Sequence, residues 1–396
     1  MHNKENIKII GVSIGSYPYG TARSIRNMTL LKGMEEKGYY TEMQILYPEK
    51  NQDSLSNKIQ GIYNGVKFHY QHSTSYNSNI LIRLFAILKQ IFSFISYINK
   101  EHKRGTTPVI LNFITHPLIT SLITLPLSKK KSILLFHEIT EFPFTRVKKL
   151  PLLNKLYYKY TLPNFDKVFV INKALKNYFQ RFIKPEKLTI LNMFVDPSRF
   201  EKSYPSPFNF GYIAYCGSMS TDKDGVHILI DAFSQIESKY PELYLVLIGD
   251  TQNREVHPAI KNAIKNNNIS SKIIFTGQVN NEDMPKHLNN AKLLALARPD
   301  NLKAKGGFPT KLGEYLATGR PTLVTKVGEI PNFLAHEVNA YLSEPNAKDF
   351  AKQIENILSN YKKAINIAEE GKKIVYKNFN YKEETKKIEG AIKENL

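Results

Sequence analysis

The fold class that this 396-residue sequence predicts is α/β, with two parallel-sheet domains and a ligand cleft between them. Three observations carry that reading. Apolar runs of four to eight residues alternate with stretches of helical period from end to end. One Pro- and Ser-rich segment without periodicity, PSRFEKSYPSPFNFG at 197–211, interrupts the alternation, which restarts beyond it. An apolar content of 42% is ample for more than one core.

The elements follow in order. IKIIGVSI begins as a buried strand, and a helix is expected from Thr21 to about Lys37, ending at Gly38. TEMQILY, PVILNF, SILLF and KVFVI read as further strands, and Asn64-Gly65 within IYNGVKFHY marks a hairpin turn. Past the linker-like segment come YIAYCG, a helix from about Gly225 to Lys239, LYLVLIG, a second helix, KIIFTG and LLALA. The last segment, NYKEETKKIEGAIKENL, reads as helical. Ligands of such folds bind outside the carboxyl ends of the strands.

Composition sets further bounds. The single cysteine, Cys216, excludes an internal disulfide and a cysteine-rich metal site. MHNKENIKIIGVSI lacks the apolar region and cleavage site of a secretory signal, so a cytoplasmic location is expected. The net charge is +20, of which residues 1–200 carry +17, from 29 Lys and Arg against 12 Asp and Glu. A cation excess confined to one half points to a polyanionic partner near that half, nucleic acid or anionic lipid.

Two stretches bear on the lipid reading. ILIRLFAILKQIFSFISYI, residues 80–98, has the length of a membrane span, but Arg83, Lys89 and Gln90 make insertion costly. Arg83, Gln90, Tyr97 and Lys100 recur at near-heptad spacing, as a polar stripe on a core helix would; interfacial docking is the other reading. In FPFTRVKKLPLLNKLYYKYTLP, residues 142–163, five cations interleave with Phe, Leu and Tyr. That suits either an anionic bilayer surface or a solvated helix face.

The chemistry concentrates in GGFPTKLGEYLATGRPTLVT, residues 306–325. Gly306 and Gly307 let backbone amides approach an anion. Pro309 suits the first turn of a helix running from Thr310 to Ala317, whose N-terminus presents unpaired N–H groups. Lys311 adds a full charge, and Glu314, one turn in, can accept two hydrogen bonds from a ribose diol. A phosphate cradle, a cation and a carboxylate together indicate a nucleotide.

GGFPTKLGEYLATGRPTLVTKVGEIPNFL resembles the donor-binding segment of family-four retaining glycosyltransferases of the GT-B fold, as found in bacterial polysaccharide assembly. LNMFVDPSRF, YCGSMSTDKDGVHILIDAF, LVLIGD and IIFTGQV are similar in the same order. The resemblance implies two Rossmann-like domains facing across a cleft: an acceptor domain at 1–200 and a nucleotide-sugar domain at 201–377. A terminal helix at about 378–396 would pack back onto the first. By the same resemblance Glu314 binds the ribose, and Lys223 the diphosphate. Gly217, Ser218, Gly306, Gly307, Phe308, Pro309, Thr310 and Lys311 line the donor site, and Gly15, Gly20 and Thr21 lie near its phosphates. His137, in ILLFHEITEFP, falls at a strand end near the reacting sugar, with Glu138 able to orient it; His116 ranks second. Catalytic parts are thus assigned to His137, Glu314 and Lys223. Two departures stand out: Gly306 replaces a sugar-contacting glutamate, and Ser218 replaces a diphosphate arginine, for which Lys311 would compensate.

The implied reaction moves a sugar from a nucleotide-diphosphate sugar to a glycan, lipid-linked by the charge asymmetry, on the inner face of the cell membrane. No metal and no other cofactor is expected, because helix N–H groups and lysines would stabilise the leaving diphosphate. Nucleic acid is not an expected partner, since no RNA- or DNA-binding signature accompanies the basic half. A sugar-nucleotide epimerase or a silent nucleotide-sugar-binding protein would share the fold, and a basic nucleic-acid-binding protein is the alternative from another class. GVSIG at 11–15 fits a hydrolase nucleophile elbow, but Tyr17-Pro18-Tyr19-Gly20 follows where a helix is required.

Overall fold

The computed structural model describes residues 4–18, 22–48, 59–71, 79–142, 151–249 and 257–396. Gly20 and Thr21, and residues 143–150 of the basic aromatic stretch, lie outside these. The chain divides into two compact units, Met1–Asn192 with Tyr381–Leu396, and Met193–Asn380.

The first unit is built on an eight-stranded sheet. Its strands are β1 (Ile7–Ser13), β2 (Tyr40–Ile45), β3 (Gln60–Tyr63), β4 (Val66–Tyr70), β5 (Thr107–Asn112), β6 (Leu134–Ile139), β7 (Lys167–Val170) and β8 (Leu188–Ile190). They lie in the order β3-β4-β2-β1-β5-β6-β7-β8, all parallel except the β3–β4 hairpin, whose turn is Asn64-Gly65 at φ 50° and 83°. Helices α1 (Ala22–Glu35), α2 (Ile80–Lys103), α3 (Pro117–Leu127), the short α4 (Leu152–Leu156) and α5 (Lys173–Phe179) accompany the strands. Val109, Ile110, Leu135 and Phe136 on the central strands are buried, as strands covered on both faces require.

The C-terminal helix, Tyr381–Asn395, is a member of this unit and lies along α1. Gly33 of α1 makes room for it: a Cβ there would lie 2.7 Å from Thr385 Cγ2. Glu384 is 4% exposed and accepts from the Asn192 N–H at 2.8 Å, and Tyr381 Oη donates to Glu36 at 2.8 Å.

Helix α2 departs from the core-helix expectation. Only Gln90, Ile91, Phe94, Ile98 and Glu101 are buried along its 24 residues. The middle of the polar stripe faces the fold: Gln90 is buried, Tyr97 Oη donates to Glu42 at 2.5 Å, and beside it Lys8 pairs with Glu101 at 3.1 Å, while Lys100 is exposed. Large apolar residues take the outside, with Phe85 81% and Phe92 71% exposed.

The second unit holds a six-stranded, wholly parallel sheet of β9 (Gly211–Cys216), β10 (Leu243–Ile248), β11 (Ile273–Gly277), β12 (Leu293–Leu296), β13 (Thr322–Thr325) and β14 (Tyr341–Ser343). The order β11-β10-β9-β12-β13-β14 reverses between β9 and β12, so the crevice at a switch point lies at their carboxyl ends. Its helices are α6 (Val226–Ser234), α7 (Pro258–Asn267), α8 (Met284–Asn289), α9 (Leu302–Gly306), α10 (Thr310–Ala317), α11 (Ile330–Phe333), α12 (Ala347–Ser359) and α13 (Tyr361–Asn378). The chain enters this unit at Met193, ahead of the 200/201 boundary inferred from sequence. Residues 193–200 are packed rather than free: a Cβ on Gly313 of α10 would lie 2.7 Å from Met193 Sδ, and Phe200 is 3% exposed. The segment 197–211 therefore differs from a loose linker, with Asn289 and Asn290 amides bonded to the carbonyls of Phe200, Lys202 and Tyr204.

Candidate functional site

At the switch point of the second unit, three chain segments converge on the ends of β9 and β12. β9 is followed by Gly217 at φ 153°, where a Cβ would fall on Lys311 Nζ. Gly225, in the left-handed region at φ 65°, caps α6, and a Cβ there would fall on the Ala297 carbonyl. Both positions thus demand glycine for conformation and for close approach. Helix α10 begins at Thr310, and Tyr315 Oη accepts the Cys216 N–H at 2.7 Å, which pins the helix to β9.

Lys311, in the first turn of α10, is not the free cation expected from sequence. Its Nζ lies 2.6 Å from Asp224 Oδ2 and 4.7 Å over the Tyr215 ring. Tyr215 Oη donates to the same carboxylate oxygen at 2.9 Å. Arg298, which follows β12, is 0% exposed and donates through Nη2 to the Ala304 carbonyl at 2.8 Å and the Gly307 carbonyl at 3.4 Å. Its Nε and Nη1 are buried without a hydrogen-bond partner. Burial pushes the Asp224 carboxyl up, but Lys311 foremost, then Arg298 and Tyr215, outweigh burial and hold it below the usual carboxylate range. Burial draws the Arg298 guanidinium down, opposed by Asp224. Two cations and one carboxylate therefore share a nearly dry site, with a surplus positive charge beneath the 304–307 turn.

Glu314 lies one turn further along α10. Its Oε1 accepts from Arg199 Nη1 at 3.0 Å, and Arg199 Nη2 holds the Asn281 carbonyl at 2.7 Å. Both side chains of the pair are about one-fifth exposed (19% and 20%), so the carboxylate is oriented yet reachable. Ser218 is exposed, and Lys223 is half-buried with its N–H on Ser220 Oγ at 3.0 Å. The two aspartates of DKD point apart: Asp222 pairs with Lys303 on the surface, Asp224 with Lys311 inside. Each has its own lysine, and they do not form a metal-binding pair.

The 306–310 turn is only partly as expected. Gly306 ends α9, and Gly307 is extended with nothing nearer than 3.8 Å to the place of a Cβ, so its face is open. The Phe308 ring is packed edge-on to Phe333 at 5.5 Å, so only its backbone could face a donor. Pro309 stands at the N-cap position rather than within the first turn, and Thr310 is the first helical residue. Cys216 is buried, and burial foremost, then Glu314, pushes its thiol up to about 12.

In the first unit Gly15 follows β1 at φ 141°, with its N–H on the Tyr47 carbonyl at 2.9 Å. His137 differs from its expected place at a strand end. It lies inside β6, 3% exposed and stacked on Phe165 at 4.9 Å, because Glu138 and Ile139 continue the strand. Its Nδ1–H donates to the Asn112 carbonyl at 2.9 Å. Burial lowers its pKa to about 4, against a weaker raising effect of that bond. Glu138 points to the opposite face and pairs with Arg26 at 2.8 Å, so it does not orient His137. His116 is exposed at the N-cap of α3. The lowered pKa has a consequence for stability. The fold favours neutral His137, so its contribution is intact above the unfolded value near 6.5 and is lost as pH falls towards about 4. The loss amounts to about 3 kcal/mol, and urea titrations of His137→Asn should lack that pH dependence.

Residues 198–374, which contain Arg199, Asp224, Arg298, Lys311 and Glu314, match the family model described as glycosyl transferases group 1. Over these residues the chain resembles the group 1 glycosyl transferases. An uncharacterized glycosyltransferase of Methanocaldococcus jannaschii is 25% identical over 219 residues, 55% of this chain and 57% of that protein. The N-acetyl-alpha-D-glucosaminyl L-malate synthase of Bacillus anthracis is 26% identical over 243 residues, 58% of this chain and 59% of that one. The chain thus spans little more than half the length of these curated relatives. Among solved structures, Anabaena HepE in complex with UDP and glucose superposes with a TM-score of 0.72 at 15% identity, over 98% of this chain and 99% of that one. That likeness shows the GT-B fold, two Rossmann-like domains each with a parallel sheet. Within the matched residues, sequence reasoning picked out Glu314, Lys311 and Lys223 but passed over Arg199, Asp224, Tyr215 and Arg298. The signal for Asp224 was in DKDGV, where a carboxylate directly precedes a helix-capping glycine; Arg298 stood directly after the LLALA strand.

Proposed function

We propose that this protein transfers a sugar, with retention of configuration, from a nucleotide-diphosphate sugar to a glycan acceptor. The observation that carries the reading is the pairing of an open, glycine-lined turn with Glu314 one helical turn beyond it, within the residues that resemble the group 1 glycosyl transferases. Glu314 accepts the ribose hydroxyls, and Arg199 fixes its rotamer. The amides opening α10 and the Lys223 ammonium meet the diphosphate, whose negative charge grows as the glycosidic bond breaks. Lys311 contributes as one member of the Asp224 cluster rather than as an isolated cation. No divalent cation is required in this scheme, so transfer should persist in excess EDTA; loss restored by Mn²⁺ would refute it.

The acceptor in this reading is lipid-linked, at the inner face of the cell membrane, and the basic first unit meets anionic lipid rather than nucleic acid. The nucleotide is tested by thermal shift with UDP, GDP, ADP, CDP and dTDP, starting from UDP because HepE is described with it. A ligand at a hundredfold its dissociation constant adds about 2.7 kcal/mol, a rise of several degrees. A rise with one diphosphate, absent in Glu314→Ala, is the expected result; silence across the panel would sink the donor site.

A further inference from the structure

We propose that the outward faces of α2 and α3, with the neighbouring α4, form a surface that seats in the interfacial region of an anionic lipid bilayer. Leu81, Phe85, Leu88 and Phe92 recur at spacings of four, three and four, so they share one face of α2, and all four are exposed. Leu118, Leu122 and Leu125 repeat the pattern on α3, again exposed. The helices adjoin: α2 packs on α3, and Ser121 of α3 bonds Thr161, just beyond α4, at 2.7 Å. Leu152 and Leu156 of α4 are exposed as well. Scattered apolar residues are normal on a surface, but stripes on adjoining helices make a continuous patch of the kind that marks an interaction site.

Lipid is the occupant that charge favours. Between residues 80 and 137 the only carboxylate is Glu101, which is buried and paired with Lys8. Arg83, Lys89, Lys129 and Lys155 lie on or beside these helices, and the stretches 80–137 and 142–163 hold no carboxylate other than Glu101. Basic residues flanking an apolar helical face are what an anionic headgroup layer binds. The helix lies on the membrane rather than spanning it. Its second half is tied into the fold by Ile91, Phe94 and Ile98 and by Glu101, although its length and composition alone would allow a crossing.

This rests on the membrane-facing part of the function proposed above and is read without donor or acceptor, so either can fail alone. The chain has no tryptophan, so Phe85→Trp places a single indole on the patch of the full chain. With phosphatidylcholine vesicles holding about one-third phosphatidylglycerol, the Phe85→Trp emission should shift to the blue and be quenched by lipids brominated on the acyl chain. Flotation should show at least about tenfold weaker binding to pure phosphatidylcholine, and similar weakening for Leu88→Ser with Phe92→Ser, whose melting should match the parent. An emission unmoved by anionic vesicles would overturn the proposal. So would a blue emission that depends on protein concentration in plain buffer, which would mean that a second copy covers the patch.

Discussion

Asp224→Ala should be among the most destabilising single substitutions in the second unit. The aspartate is 3% exposed, and its removal leaves the half-buried Lys311 and the buried Arg298 without that counter-charge. Removing one partner of such a pair costs about 3–5 kcal/mol, roughly a 10 °C fall in midpoint for a domain of this size. The cost should be recovered in part by Asp224→Leu combined with Lys311→Met, which removes the stranded charge. Calorimetry across this double-mutant cycle is the test; additive losses would mean that the two side chains do not act as a pair. The same site predicts acid sensitivity. The folded carboxyl is held below its ordinary range, so its contribution is complete at neutral pH and is lost as pH falls through that lowered value.

Glu314→Ala should act on ligand rather than on fold. The Arg199 ion pair is partly solvated, so stability should change by less than about 1 kcal/mol. Two hydrogen bonds to an ionised acceptor disappear from the nucleotide, a loss of about 3 kcal/mol and roughly a hundredfold in affinity. Titration calorimetry with the nucleoside diphosphate that gives the largest thermal shift would read this directly. Arg199→Met should reproduce a smaller part of the loss, since it frees the carboxylate to turn away. Unchanged affinity in Glu314→Ala would remove the ribose contact from the proposed mechanism.

What was legible in the sequence and what was not divides along a physical line. The strands, the hairpin at Asn64-Gly65 and the helix from Thr310 to Ala317 are written locally, in runs of apolar residues and in turn chemistry. The partners of Lys311 and Glu314 are not, because Asp224 and Arg199 lie far away in the chain and no local pattern announces a tertiary ion pair. His137 was read at a strand end because two polar residues close the run ILLFHE. The strand carries on because Asn112 satisfies the imidazole and Arg26 the carboxylate. Helix α2 misled for a related reason. A stripe of polar residues at heptad spacing says that a helix has two faces, but not which of them meets water.

The C-terminal helix that lies along α1 has a bearing on how the molecule comes into being. Everything from Met193 to Asn380 belongs to the other unit, so the first unit is interrupted in time as well as in sequence. At the usual pace of synthesis, about 5–20 residues per second, its eight strands wait roughly ten to forty seconds for the segment that fills the notch at Gly33. The unit made second is complete before the unit begun first. A released chain truncated after Asn380 should therefore carry a protease-resistant second unit beside a first unit that is readily cleaved.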